Sequence, residues 1–168
     1  GKPSIDNRPE SVDARQEVGH YEGDTVHGAS WEKACVVTVV ERVTGLLLVG
    51  KSADKTVESV NKVLIRLLRE SPLPVHTLTL DNGTEFHGYR RVEEATGVQI
   101  YFARPHHPWQ RGTNENTNGL LRQYFPKGMD LSDVPQTKLN WVARRLNGRP
   151  RQTLGFKTPA EVLSRAVA

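Results

Sequence analysis

The pattern of apolar residues in this chain predicts an α/β fold: a five-stranded mixed sheet flanked by helices. Three observations predict it. Apolar blocks with strand character come first, between residues 20 and 52. The apolar period then lengthens to three and four over 54–70. After that, short strand-like runs alternate with helical ones. The first three strands should form an antiparallel meander, and the last two should run parallel because helices separate them.

The elements follow in order. Residues 1–17 are polar and without period; they read as a lead-in, as in a fragment of a longer chain, to a core spanning 18–168. "HYEGDTVHG" is a short strand despite Gly23 and Gly28. "ACVVTVVER" (34–42) is a β-branched strand, and a short glycine turn leads to "LLLVGKS" (46–52), giving a hairpin. In 54–70, Val57, Val60, Val63 (or Leu64), Leu67 and Leu68 mark one helix face, with Asp54 as N-cap and Pro72 and Pro74 as the stop. "VHTLTLDNG" (75–83) is a strand ended by Asn-Gly. A short helix over 88–97 stops at Gly97, and "VQIYFAR" (98–104) is the last strand. Helices are expected from the stretch beginning at Pro108 to about Phe125, over 136–147 and over 158–167, the last opening at Thr158-Pro159.

Composition narrows the function. With 36% hydrophobic and 25% charged residues, the chain is not disordered. The single cysteine, Cys35, excludes an internal disulfide and reads as a buried small hydrophobe. Six histidines with one cysteine give no zinc-finger spacing, and the adjacent pair His106–His107 suits a loop near a ligand. No apolar stretch is long enough to span a bilayer and no signal-peptide pattern is present, so a soluble cytoplasmic protein is expected. Residues 1–100 carry a net charge of −3 and residues 101–168 a net of +7. A basic C-terminal third suits a phosphate-rich ligand as well as a plain solvated surface.

Three acids stand out. Asp81 ends the fourth strand, at the carboxyl end where mixed sheets collect ligands, though Asp-Asn-Gly also makes an ordinary turn. Asp24 lies inside a strand, where aspartate is depleted; Glu22 shares its face by alternation and is a rival. Glu115 falls at the start of a helix. At 100° per residue it shares a side with Asn118, Gly119 and Arg122, opposite Thr117, Leu120, Leu121 and Tyr124. Gly119 costs that helix roughly 1 kcal/mol against alanine, which is easier to understand where something must approach closely. Three carboxylates would form an oxygen-only cage suited to Mg²⁺ or Mn²⁺, and a pair of such ions serves phosphoryl displacement.

The motifs "GHYEGD", "LDNGTEF" and "PWQRGTNENTNGLLRQYFPKG", with 33 residues between Asp81 and Glu115, resemble the catalytic (DDE) domain of insertion-sequence transposases, most closely the family written IS-thirty. More widely the chain is similar to the retroviral integrase group, with its ribonuclease-H-like fold. The resemblance covers nearly the whole chain and selects Asp24 over Glu22. It implies a metal-dependent DNA transposase with Asp24, Asp81 and Glu115 as catalytic metal ligands and two ions when DNA is bound. It also implies DNA contacts from Arg111, Asn114, Asn118, Arg122, Asn82 and Trp109, with Asn116 in the same group of amides. Transposon ends and target DNA would be the partners, in a homo-oligomer near the nucleoid. The implied steps are cleavage at the element's end and transfer of the freed 3′-hydroxyl. Tyr21 departs from the tryptophan expected there. A catalytically silent DNA-binding or assembly domain, and a general ribonuclease-H-like nuclease, are the competing readings.

Overall fold

In the computed structural model of the chain, residues 2–9, 17–29, 31, 33–81, 87–103, 112–148 and 158 are described. Strand β1 (His20–His27) pairs antiparallel with β2 (Cys35–Glu41), and β2 with β3 (Leu47–Ser52). Helix α1 (Val57–Glu70) crosses back to β4 (Thr77–Leu80), which lies parallel to β1 on its other side. Helix α2 (Tyr89–Thr96) then crosses to β5 (Gln99–Phe102), parallel to β4. The strand order is β3-β2-β1-β4-β5. Helices α3 (Gly112–Leu121) and α4 (Gln136–Asn147) follow. This is the expected meander plus two parallel strands.

Alternation along the strands builds two apolar layers. One face sets Tyr21, Val37, Val39, Leu78, Leu80, Ile100 and Phe102 against Val60, Leu64 and Leu67 of α1 and Val92 of α2. The other sets Val26, Val36, Val40, Leu47 and Val49 against Leu121, Phe125 and the α4 residues Leu139, Val142 and Leu146. Covered on both faces, β2 is buried along its whole length. Gly23 is required where it stands: a Cβ there would lie 2.7 Å from Leu80 Cδ2. Gly97 takes the left-handed conformation (φ 78°) that closes α2.

Both sheet edges are covered. Outside β5, Ser4 forms a parallel bridge with Phe102, and Phe102 N–H donates to the Pro3 carbonyl (2.9 Å). Ile5 is buried and the Arg8 guanidinium donates to Thr79 Oγ1 (3.1 Å), so part of the polar N-terminal segment is stitched to the sheet. Outside β3, the two end residues of α4 act as a substitute strand. Asn147 accepts from Leu47 N–H (2.9 Å) and donates to the Leu47 carbonyl (3.1 Å). Gln136 accepts from Lys51 N–H (3.0 Å) and donates to the Val49 carbonyl (3.0 Å).

Some boundaries differ from expectation. Thr56, not Asp54, caps α1, accepting from Ser59 N–H (3.2 Å). Asp54 instead accepts from the Thr56 hydroxyl (2.6 Å) and N–H (3.0 Å), which hold its carboxyl below the usual range. Helix α3 ends at Leu121 rather than near Phe125, because the next residues tighten into turns: Gln123 N–H bonds Leu120 O and Tyr124 N–H bonds Leu121 O. The helix expected over 136–147 is found as α4. The one expected over 158–167 lies outside the described residues, apart from Thr158.

Tyr21 is fully buried, and its hydroxyl meets Ser71 Oγ (2.7 Å) and donates to the Pro74 carbonyl (3.1 Å). Burial pushes this phenol up to about 12, against an opposing pull from the Ser71 bond. The neutral phenol is the folded form, whereas the unfolded one ionises near 10. Stability should therefore hold below about pH 10 and fall as pH rises towards 12. Tyr21→Phe should flatten that decline in urea unfolding across this range, while costing about 1 kcal/mol at neutral pH.

Candidate active site at the carboxyl end of the central strands

The offset that pairs His20 with Thr77 and Glu22 with Thr79 is 57 residues, and the same offset separates Asp24 from Asp81. The pairing ends at Glu22 and Thr79; carried two residues on, the same register would bring the two aspartates to neighbouring positions. They share a face as well. Leu78 and Leu80 belong to the α1–α2 side, so the alternate positions Thr79 and Asp81 belong to the other, as do Glu22, Asp24 and Val26 in β1. Both aspartates are half-buried at the mouth of the sheet.

Asp24 is held from three directions. Its Oδ1 accepts from Thr25 N–H (2.8 Å) and its Oδ2 from Asn118 Nδ2 (2.9 Å). From β2, Thr38 Oγ1 lies 3.4 Å from the Asp24 carbonyl and 3.5 Å from Asn118 Oδ1. Asn118 thus bridges α3 to the first acid. Glu115 stands one turn earlier on α3, at the i, i+3 spacing that shares a helix face. Its side chain, with that of Asn114, lies outside the described residues, as do Asn82, Trp109, Arg111 and the His106–His107 pair.

Glu22 is set apart from Asp24 by burial. It is fully buried and its Oε2 sits 2.7 Å from Arg42 Nη1, itself buried. A carboxylate committed to a buried ion pair is poorly placed to meet a ligand at the sheet's mouth. Arg122, expected on a DNA phosphate, donates through Nη1 to the His27 carbonyl (3.0 Å) and, more loosely, to the Phe125 carbonyl (3.4 Å). It ties the end of α3 to the last residue of β1. Asn116 and Gly119 are exposed, and nothing lies within 4 Å of a Cβ placed on Gly119.

Thr38 and Arg42 were not singled out from the sequence. Thr38 had a signal: it is the polar residue between Val36 and Val40 on one face of a buried strand. Arg42 had none beyond following a strand. Asp24 and Asp81 offer the hard oxygen donors that Mg²⁺ or Mn²⁺ takes, so the donor chemistry fits. Among the described residues no three His, Cys, Asp or Glu side chains form a metal cluster, and no helix is long and apolar enough to cross a membrane.

The Glu22–Arg42 pair yields a direct check. Arg42→Met leaves a buried charge without its partner and should cost about 3–5 kcal/mol in denaturant unfolding. Adding Glu22→Gln should recover a substantial part of that loss.

Comparison with known proteins shows the family and the fold. Residues 14–108 match the family model for the integrase core domain. The chain is 46% identical over 166 residues to the transposase for insertion sequence element IS1086 of Cupriavidus metallidurans, covering 98% of this chain and 49% of that protein. It is 42% identical over 165 residues to transposase InsI for insertion sequence element IS30A of Escherichia coli, covering 98% and 43%. It is 40% identical over 161 residues to the transposase for insertion sequence element IS4351 of Bacteroides fragilis, covering 96% and 49%. The chain thus spans about half the length of the curated relatives it matches. Among solved structures, the catalytic core domain of BIV integrase superposes with a TM-score of 0.63 at 22% identity, covering 88% of this chain and 95% of that one. A chain of the simian T-cell lymphotropic virus intasome, in complex with PP2A regulatory subunit B56 gamma, gives 0.66 at 17%, covering 85% and 53%. These likenesses show the fold, which is ribonuclease-H-like.

Proposed function

The chain belongs to the integrase core domain family, with insertion-sequence transposases of the IS30 type as its 40–46% identical relatives, and from that premise we propose that it is the catalytic part of a DNA transposase. The observation that supports the reading is the parallel register of β1 and β4, which runs to Glu22 and Thr79, two residues short of Asp24 and Asp81, together with the bond from Asn118 of α3 to Asp24.

The reaction is two in-line displacements at phosphorus. In the first, water attacks a phosphodiester at the element's end; the P–O3′ bond breaks, and the leaving oxygen takes a proton to become a 3′-hydroxyl. In the second, that hydroxyl attacks a target phosphodiester and displaces another 3′ oxygen, which takes up the proton. No covalent enzyme intermediate is needed. Asp24, Asp81 and Glu115 would hold Mg²⁺ or Mn²⁺, with two ions expected when DNA is bound. When bound, such an ion supplies Lewis-acid polarisation of the phosphodiester. The protein's own work is positional. Thr25 N–H and Asn118 fix both oxygens of Asp24, and Arg122 fixes α3 against β1. Arg111, Asn114, Asn82 and Trp109 would line the DNA approach, with Asn118 and Arg122 shaping it from α3. Transposon ends and target DNA are the partners, and the working form is a homo-oligomer in the cytoplasm, at the nucleoid.

Glu115→Gln, Asp24→Asn and Asp81→Asn should each lower Mn²⁺-dependent nicking and joining of element-end duplexes by about 10³-fold, equivalent to several kcal/mol of lost charge stabilisation. Circular dichroism should show the fold intact. Wild-type rates in any of the three would sink the reading. Asn118→Ala should weaken Mn²⁺ binding about 10–100-fold by calorimetry, as loss of a partner that orients a ligand does.

A further inference from the structure

A basic site lies on the face of the sheet opposite the acids. A cavity of about 460 Å³ is lined by Lys2, His87, Gly88, Tyr89, Arg90 and Arg91. Three of these six described lining residues, Lys2, Arg90 and Arg91, are basic, and none is an acid. Their placement is built. Tyr89 and Phe102 meet edge to face at 5.2 Å, and each ring has a cation near it: Lys2 Nζ at 4.9 Å from Phe102, and the Arg90 guanidinium at 5.9 Å from Tyr89. Arg90 Nε also donates to the Tyr89 hydroxyl (3.4 Å). Lys2 is brought there by the Pro3 and Ser4 contacts to Phe102. His87, Arg90 and Arg91 are exposed.

The cavity's position matters as much as its charge. Phe102 is the register partner of Leu80, the residue before Asp81. The helix that carries Tyr89, Arg90 and Arg91 therefore begins at the carboxyl end of the sheet, the end at which β4 leads into Asp81, while packing on the other face. Duplex DNA carries a charge every ~1.7 Å of its axis, so a duplex laid across that end of the sheet offers these cations many phosphates. The volume is far above the ~30 Å³ share of one water and admits a sugar–phosphate unit. Two adjacent arginines supply the forked donors that phosphate oxygens accept.

We propose that this cavity clamps the sugar–phosphate backbone of the DNA on which the acids act, with the N-terminal segment supplying Lys2 to the clamp. The inference rests on the transposase reading above.

Binding of a fluorescent DNA duplex, followed by polarisation between 50 and 200 mM salt, tests it. Arg90→Gln/Arg91→Gln in the intact protein should weaken binding at least about tenfold at fixed salt. It should also flatten the plot of log affinity against log salt by about 0.9 for each phosphate no longer neutralised. Lys2→Gln should do the same on a smaller scale, and an unchanged melting temperature should accompany both. Unaltered affinity and slope in these variants, beside a parent protein that binds, overturns the clamp and leaves the transposase reading standing. Tight binding of inorganic pyrophosphate that the double variant loses, with duplex binding unchanged, overturns it in favour of a small phosphate ligand. A parent protein that binds no duplex overturns the transposase reading and the clamp together.

Discussion

The parallel pairing of β1 with β4 is the constraint on which the site depends. Two strands far apart in sequence must meet in one register for Asp24 and Asp81 to become neighbours. A slip of one residue would turn every side chain of β4 to the opposite face and send Asp81 away from Asp24. Several contacts oppose that slip. Tyr21 fills the core beside Leu78 and anchors its hydroxyl at Ser71 and Pro74. Leu80 occupies the space over Gly23 that a side chain would otherwise take. Arg8 reaches Thr79 from outside the strand pair. The Tyr21 hydroxyl gives a physical reason for tyrosine where a tryptophan was expected, since an indole has no oxygen to bridge those two partners.

Helix α3 is the second condition, and its composition reflects a divided role. Among its described side chains, Thr117 and Leu121 are buried and Leu120 only partly. Polar struts add to that burial. Asn118 bonds Asp24 and, one turn later, Arg122 bonds the His27 carbonyl. Both struts land on β1, so the helix that carries Glu115 is indexed to the strand that carries Asp24. An asparagine-rich helix is weak by propensity. The amide at 118 compensates by serving the site and the packing at once.

Much of this was legible in the sequence, for identifiable reasons. The β-branched runs of the meander and the three-four period of α1 are strong local signals, and the sheet order follows from them. The spacing of Asp24, Asp81 and Glu115 within long motifs is what marks the candidate site in the sequence. Glu22 and Asp24 could not be separated by alternation, because both sit on one face; what separates them is the buried Arg42, a contact across 20 residues. A guanidinium suits either a phosphate or a carbonyl, and only the fold shows that the His27 carbonyl is in reach of Arg122. Residues 2–9 show no period; they dock through backbone bonds and the side chains of Ile5 and Arg8 rather than through a repeated face.

The side-chain amides at the two ends of α4 have a further consequence. An outer strand normally offers a row of unused donors and acceptors that another chain can zip onto. Along β3 the amides of Gln136 and Asn147 already occupy that row at Leu47, Val49 and Lys51, and along β5 the backbone at Pro3 and Ser4 does so. Lengthening the sheet with a foreign strand would first require α4 or the N-terminal segment to be peeled away. Helix α4 therefore doubles as a guard against fibrous, strand-by-strand self-association, a protection that lasts only while that helix stays docked.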